Sequence, residues 1–283
     1  MYNAQYVSTR GDVYDFGVKG STVFDIDIGS GLSVDLNVSQ GFSQIGESVQ
    51  SQNIVGKNLS VKGAIYQNVP QNKDKLRNVF YPFSSGRLTF DNGYYIDVYV
   101  KETPSFSPKK DDGRFTMLLF APFPFFSKSD TGKIEFGEVV PQFSFPVNFS
   151  EPHIFGKKTT SSIKNVINGG NVNVPFNVIF TTTGFVENIS IKNTTTKESL
   201  KINISLGIGD TLKVFRSSES LLTATLDNGK YTEDVTSFID ETSDLYRLYV
   251  GKNRLEITDE FSKGKMLIAD FQFNEAVTSI YEH

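Results

Sequence analysis

The stretch RFTMLLFAPFPFF, from Arg114 to Phe126, places five phenylalanines within thirteen residues. A helix that crosses a bilayer needs about 20 consecutive apolar residues. This run is shorter, and Pro122 and Pro124 interrupt it. We interpret it as a buried strand followed by an extended exit, because a proline restricts the preceding residue to extended backbone. We therefore expect no membrane insertion.

The first part of this run, residues 114–120, is apolar on both faces of the predicted strand. One face carries Phe115, Met117 and Leu119, and the other carries Leu118 and Phe120. Strands of this kind are usually covered on both sides, so we expect a helix or a neighbouring element against each face. Beyond the strand, we expect three phenylalanines to pack where a first domain meets a second: Phe123, Phe125 and Phe126.

Alternating hydrophobicity before this run predicts strands. Apolar and polar residues alternate in residues 22–28 and again in residues 31–40. The turn Gly29-Ser30-Gly31 between them predicts that these two strands form a hairpin. The next stretch, Gly41 to Asn53, is polar with a few isolated apolar residues, and we interpret it as a long loop or projecting arm. Its candidate anchors on a neighbouring copy are Phe42, Ile45 and Val49.

One segment has the periodicity of an amphipathic helix. Its apolar residues follow the i, i+3, i+4, i+7 spacing of a buried helical face, and they are Leu76, Val79, Phe80 and Phe83. Pro70 suits the first turn of this helix, and Pro82 is expected to end it.

Short alternating runs separated by frequent turns fill the chain from residue 133 onward, and this pattern is typical of a β-sandwich. We therefore predict a mainly β fold with two domains. Residues 1–132 are expected to form an N-terminal β-sandwich-like domain with one α-helix and a projecting arm. Residues 133–283 are expected to form a second β-sandwich.

The composition argues against several classes of function. A net charge of −4 provides no basic surface for specific nucleic-acid binding. The absence of cysteine excludes thiolate catalysis and zinc sites built on sulfur. The two histidines, His153 and His283, are isolated in the sequence, and no nucleotide-binding or hydrolase motif is present. We predict no catalytic residue, cofactor or metal, and we expect a protein that is not an enzyme.

A carbohydrate-binding adhesin with a lectin-like β-sandwich is the alternative function. Such sites place exposed aromatic side chains beside polar and charged ones. The second half offers one modest candidate patch, made of Tyr246, Arg247 and Tyr249. An enzyme of unrecognised class stands third. The N-terminus has neither a basic nor an apolar segment, so we expect no signal peptide.

The order of the predicted elements carries a family resemblance. A hairpin, an arm, a strand and a helix precede the stretch Gly86 to Val100, which holds a G-x-L-x-F strand and its partner. The apolar run Arg114 to Phe126 follows, and then come Val166 to Thr196 and Tyr249 to Ile257. In this order and spacing the sequence resembles the distal tail proteins (Dit) of siphophages that infect Gram-positive bacteria.

Three short elements in the second half belong to the same resemblance. They are Asn168-Gly169, the segment Gly184 to Ile191, and the turn Gly251-Lys252-Asn253. Each is a weak indication alone, since many β proteins contain such turns, and the resemblance depends on their order across nearly the whole chain.

The resemblance implies a structural role. It implies that the C-terminal domain is galectin-like and that six copies form a ring joining the tail tube to the baseplate or tip. The implied partners are other copies of the chain, the tail-tube protein, the tail-associated tip protein and receptor-binding or baseplate proteins. The implied location is the distal end of the tail in the virion, with assembly in the host cytoplasm.

Overall fold

The structure is a computed structural model, and it describes residues 3–17, 22–27, 31–109, 111–129, 132–136, 138–141, 156–159, 162–216, 222–245 and 247–280. The mainly β fold class is confirmed. The chain divides into two compact units, Met1–Ser129 with Val277–His283 and Asp130–Ala276. This division differs from the expected one at the C-terminus, because Val277 and Ile280 pack in the core of the first unit.

The first unit is a sheet with one helix and an arm. Its elements are β1 Ala4–Ser8, β2 Val13–Phe16, β3 Thr22–Ile26, β4 Val34–Ser39, β5 Ser48–Ile54, β6 Lys57–Ile65, α1 Val69–Val79, β7 Ser85–Phe90, β8 Tyr94–Phe106, β9 Arg114–Ala121 and β10 Phe126–Lys128. The main sheet has the order β2-β1-β7-β8-β9-β6-β3, with antiparallel neighbours. It curls until its two end strands approach each other, since Gly17 and Thr22 form an isolated β-bridge.

Helix α1 packs its apolar face against this curled sheet. Leu76 and Val79 are buried, and the helix ends before Pro82 as the sequence predicts. Phe80, just beyond the helix, is fully buried and stacks on Tyr6 with a centroid distance of 4.3 Å. The expectation that Phe83 continues the buried stripe is wrong. Pro82 stops the helix before that position, and Phe83 lies in a turn, exposed to solvent.

The hairpin predicted between residues 22–28 and 31–40 is also wrong. Strand β3 pairs with β6, whereas β4 pairs with β5 in a separate two-stranded ribbon. The stretch Gly41 to Asn53 therefore contains the turn and most of the second strand of a β-hairpin arm. Alternation shows that a segment is a strand, but it does not show which strand is its partner.

The apolar run forms strand β9 in the middle of the sheet, between β8 and β6. The residues that face the core are Phe115, Met117, Leu119 and Ala121. Leu118 and Phe120 on the opposite face are only partly buried, and Tyr99, which lies opposite Phe120 in the register, is exposed. The expectation that both faces are covered is therefore wrong for the single chain.

The second unit contains two larger antiparallel sheets. Its elements are β11 Gly132–Phe136, β12 Glu138–Pro141, β13 Gly156–Thr159, β14 Ile163–Asn168, β15 Phe176–Thr182, β16 Val186–Asn193, β17 Ser199–Leu206, β18 Thr211–Arg216, β19 Leu222–Asp227, β20 Thr232–Asp234, a 3-10 turn Thr236–Phe238, β21 Gly251–Asp259 and β22 Leu267–Phe273. The last strand, β23 Ala276–Val277, pairs with β10 in the sheet of the first unit. One sheet has the order β11-β22-β15-β18-β19-β20, and the other has the order β14-β21-β16-β17. Strands β12 and β13 pair separately.

Alternate residues of these strands are buried, as the period of two predicts. In β17 the buried positions are Leu200, Ile202, Ile204 and Leu206, and in β15 they include Phe176, Val178 and Phe180. Phe176 stacks on Phe271 of the neighbouring strand β22 with a centroid distance of 4.5 Å. The unit therefore has its own apolar core.

Close packing explains why the first residue of the G-x-L-x-F pattern, Gly86, is a glycine. A Cβ atom at this position would lie 2.7 Å from Cζ of the Tyr6 ring and closer still to the carbonyl oxygen of Val7. Tyr6 is the ring on which Phe80 stacks, so neither neighbour can move without disturbing the core. A side chain is excluded here by contact, because this glycine is not among those with positive φ.

We predict that Gly86→Ala lowers the free energy of unfolding by about 1–3 kcal/mol, the usual cost of overpacking a core. Urea denaturation followed by circular dichroism measures this loss. Gly31→Ala is the matched control, since no atom lies within 4 Å of its added Cβ. Equal midpoints for the two variants would contradict the packing described for Gly86.

Candidate assembly surface

The arm formed by β4 and β5 is a two-stranded ribbon, and no other strand of the described residues pairs with it. Every residue of both strands is exposed. Isolated two-stranded hairpins are at best marginally stable in water. The arm therefore depends on contacts beyond its own two strands for an ordered structure.

One face of the ribbon is mainly apolar. Residues directly opposite each other in an antiparallel pair share a face, and here the pairs are Val34 with Ile54, Leu36 with Gln52, and Val38 with Val49. The other face carries Asp35, Asn37, Ser39, Ser48, Ser51 and Asn53. The ribbon is thus amphipathic, yet its apolar face has no cover within the described chain.

The tip of the arm is held by Gln44. Its side-chain carbonyl accepts a hydrogen bond from the N–H of Gly41 at 2.9 Å, and its amide donates to Oγ of Ser48 at 2.8 Å. Phe42 and Ile45 lie on either side of Gln44 and are fully exposed. The turn thus holds two large apolar side chains in solvent.

Charge is nearly absent from the arm. Residues 31–56 contain Asp35 and Glu47 as their only charged side chains. Proteins usually protect an exposed strand edge with lysine, proline or a covering segment, and the arm strands have neither lysine nor proline. The composition therefore favours association of this ribbon with another protein surface.

The three phenylalanines predicted at the interdomain joint occupy different environments. Phe126 is fully buried in the core of the first unit, where its ring meets Phe90 with a centroid distance of 5.8 Å. Phe125 is also buried, and Phe123 is partly buried with its ring 5.0 Å from that of Phe125. An interdomain role for Phe123 and Phe125 stays a prediction.

The sugar-patch candidates lie near the start of β21. Arg247 is exposed, and the hydroxyl of Tyr249 donates a 2.6 Å hydrogen bond to Oε1 of Glu198. This bond to a carboxylate raises the pKa of Tyr249, with burial adding to the shift. Tyr246 lies outside the described residues. A sugar-binding role for this patch stays a prediction.

The G-K-N turn that follows this patch is fixed by a buried asparagine. Asn253 is fully buried, and its Oδ1 accepts hydrogen bonds from the N–H of Tyr249 and from Nδ2 of Asn193. Its Nδ2 donates to the carbonyl of Tyr249 at 2.7 Å. Gly251 has φ of +86°, which suits glycine. This element of the family resemblance therefore has a local structural cause.

The other two elements of the resemblance also have structural causes. Asn168 is buried, donates to the carbonyl oxygens of Val172 and Leu248, and accepts from the N–H of Gly170. Asn188 has φ of +50° at a β-bulge in β16, a conformation that asparagine tolerates better than most residues. Both asparagines fix the local backbone, Asn168 by hydrogen bonds and Asn188 by its positive φ, so these elements of the resemblance reflect the fold.

A short segment covers the outer edge of strand β17. Ile239 forms a bridge with Ile202, and the N–H groups of Asp240 and Asp244 donate to the carbonyl oxygens of Lys201 and Ser199. This edge is thereby protected from pairing with another chain. The strands of the arm differ in this respect, because β4 and β5 pair only with each other among the described strands and all their residues are exposed.

Asp240 fixes the turn at the start of this covering segment. Hydrogen bonds from the Thr242 hydroxyl, the Asn203 amide and the Thr242 N–H lower the pKa of Asp240 to about 2. Its ordinary value is 3.8. Because the pKa is lower in the folded state, the ionised carboxylate stabilises the fold above pH 4, and this contribution is lost as the pH falls from about 4 to 2.

We predict that the difference in unfolding free energy between the wild-type protein and Asp240→Asn narrows as the pH falls from 5 to 2. Asparagine keeps an acceptor for Thr242 but does not titrate in this range. Urea midpoints at intervals of one pH unit measure the difference. A gap that stays constant across the series would show that Asp240 does not stabilise the fold through its charge.

The remaining observations concern metal sites, membrane-spanning helices and the two histidines. Within the described ranges, no three side chains among His, Cys, Asp and Glu are grouped as a metal site. In the same part of the chain, no helix has the length and apolar character needed to cross a membrane. Neither histidine lies in the described part, so the sequence-based expectation about them stays a prediction.

Comparison with known proteins shows which fold this is. No protein-family model matches the chain, and no curated protein matches it. Among solved structures, the chain is similar to the crystal structure of the SPP1 Dit protein (gp 19.1), with a TM-score of 0.61 and 12% sequence identity, over 96% of this chain and 98% of that one. The resemblance inferred from the sequence is therefore confirmed at the level of the fold.

Two further structures are of the phage P2 baseplate in its activated conformation, with Ca and with Sr. Each aligns with a TM-score of 0.48 at 10% and 9% identity respectively, over 99% of this chain and 100% of that one. The chain therefore has the mainly β fold of a Dit protein, on the strength of the SPP1 match.

Proposed function

We propose that this protein is a structural subunit of a phage tail, a distal tail protein. Six copies form a ring that joins the tail tube to the baseplate or tip and serves as a hub for host-adsorption proteins. The SPP1 protein of the same fold is described as a paradigm of the hub adsorption apparatus in phages that infect Gram-positive bacteria. The shared fold extends over nearly the whole of both chains, which supports the transfer of this role.

The exposed amphipathic arm is the observation that carries the proposal. A closed ring of identical subunits uses two different surfaces on each copy, one binding the other on the next copy. The arm provides one such surface, because its apolar face and its tip are exposed among the residues that the structure describes. Covering an exposed valine, leucine or isoleucine side chain contributes up to about 1.5–3 kcal/mol.

The second unit is assigned the role of a peripheral platform. Its two antiparallel sheets suit the galectin-like domain that the family resemblance implies, and its loops suit contacts with receptor-binding or baseplate proteins. The tail-tube protein and the tail-associated tip protein are the partners proposed above and below the ring. In this role the protein acts by binding in the virion, after assembly in the host cytoplasm, and it needs no catalytic residue.

We predict that the double variant Phe42→Ser, Ile45→Ser abolishes the hexamer. Both side chains are fully exposed in the single chain, so their loss leaves the fold unchanged while removing apolar contact area at the arm tip. Light scattering coupled to size-exclusion chromatography measures the mass, which is about six times 31.5 kDa for the wild-type ring.

Tyr231→Ser is the matched control for this experiment. Tyr231 is an exposed aromatic residue of the second unit, outside the arm, and its loss should leave the ring intact. A wild-type protein that stays monomeric at every concentration would contradict the proposed ring. Binding of cell-wall sugars by such a monomer would favour the adhesin. A stable hexamer of the double variant would contradict only the role given to the arm tip.

A further inference from the structure

Phe83 combines two unfavourable features at one position. Its backbone has φ of +66°, which is an outlier for a bulky side chain. Its side chain is 99% exposed. Residues held in such strained conformations cluster at functional sites, where the surrounding structure enforces them. A glycine or asparagine would satisfy this turn without either penalty.

The surrounding structure does enforce this conformation. The N–H of Ser84 donates to the carbonyl of Tyr81 at 3.2 Å, and the N–H of Val100 donates to the carbonyl of Ser84 at 2.8 Å. The guanidinium of Arg10 lies 3.8 Å from the centre of the Tyr81 ring. Pro82 further restricts the backbone directly before Phe83. The turn is thus tied to β8 and to the β1–β2 turn, and it holds one aromatic ring in solvent.

The same unit exposes a second apolar surface, the apolar face of the arm. The apolar face of the arm is exposed at Leu36, and Phe83 is almost fully exposed, so the two do not cover each other within one copy. Contact between them therefore requires two copies. The charges near the two surfaces are opposite in sign, since Glu47 lies near the arm tip, Asp35 lies on the polar face of the arm, and Arg10 lies beside the Phe83 turn. The β1–β2 turn also contains a carboxylate, Asp12, which accepts a hydrogen bond from the hydroxyl of Ser8 at the end of β1.

We propose that Phe83 is the anchor on each subunit against which the apolar face of a neighbouring copy's arm packs. This inference rests on the proposed ring and assigns the surface that receives the arm. The strained turn then has a function, since it presents the aromatic ring in the bound position before assembly and little ordering is needed on binding.

The absence of cysteine allows a direct test between copies. A tagged Phe83→Cys chain and an untagged Leu36→Cys chain are mixed, assembled and treated with a short bismaleimide. We expect a crosslinked species with the mass of one tagged and one untagged chain. Lys197→Cys in place of Phe83→Cys is the control, because Lys197 is exposed and lies in the second unit. Crosslinking no stronger than in this control would overturn the proposal.

A second variant separates folding from assembly. Phe83→Gly suits the positive φ and removes the aromatic side chain. We therefore expect a higher thermal midpoint for the dilute, unassembled chain and a dissociation constant of the hexamer raised roughly tenfold or more, as for loss of an interface hot spot. Lys197→Gly relieves a similar backbone, with φ of +70°, and should leave the ring unchanged.

The outcomes of these tests are distinguishable. If Phe83→Gly rings assemble as well as wild-type rings, the anchor is wrong and the proposed function stands. If the wild-type protein forms no ring at any concentration, the proposed function fails first, and the anchor fails with it.

Discussion

The apolar face of the β4–β5 arm is exposed to solvent, and the proposed ring depends on what covers this face. Eight large apolar side chains within residues 31–56 are exposed: Val34, Leu36, Val38, Phe42, Ile45, Val49, Ile54 and Val55. A ribbon of two strands cannot bury one of its own faces, and a marginal hairpin gains order from whatever covers it. A contiguous exposed apolar surface of this kind marks an interaction site.

The rest of the first unit is closely packed around its own core. A curled sheet packs around Phe80 and helix α1, and close contacts such as that between Gly86 and Tyr6 leave little freedom in the core. The strained turn at Phe83 persists because this packed unit fixes it from both sides. The molecule thus combines one projecting apolar surface with one aromatic ring presented on a fixed turn. In the proposed ring, the first surface of one copy binds the second surface of the next.

Local patterns predicted the types of the elements well. The period of two in residues 31–40 indicated a strand, and the spacing of Leu76, Val79 and Phe80 indicated the helix. The pairing of strands depends on contacts distant in sequence, so the partner of β4 was predicted wrongly. The return of Ile280 to the first core has the same cause, since no local pattern shows where a chain end packs.

The candidate site was predictable only in part. The arm and its tip residues could be proposed from isolated apolar residues in a polar stretch. The apolar face of the arm was visible as alternation, but sequence alone does not distinguish a strand that packs on its own core from one that packs on another copy. Phe83 fitted the helical spacing, and its positive φ and its exposure became visible only in the structure.

Hydrogen–deuterium exchange of the arm amides at increasing protein concentration tests most directly whether another copy covers the arm. The proposed ring predicts that amides of β4 and β5 exchange rapidly in dilute samples and become protected as the ring forms, while amides of β9 are protected throughout. Arm amides that exchange equally fast in dilute samples and in assembled rings would contradict it.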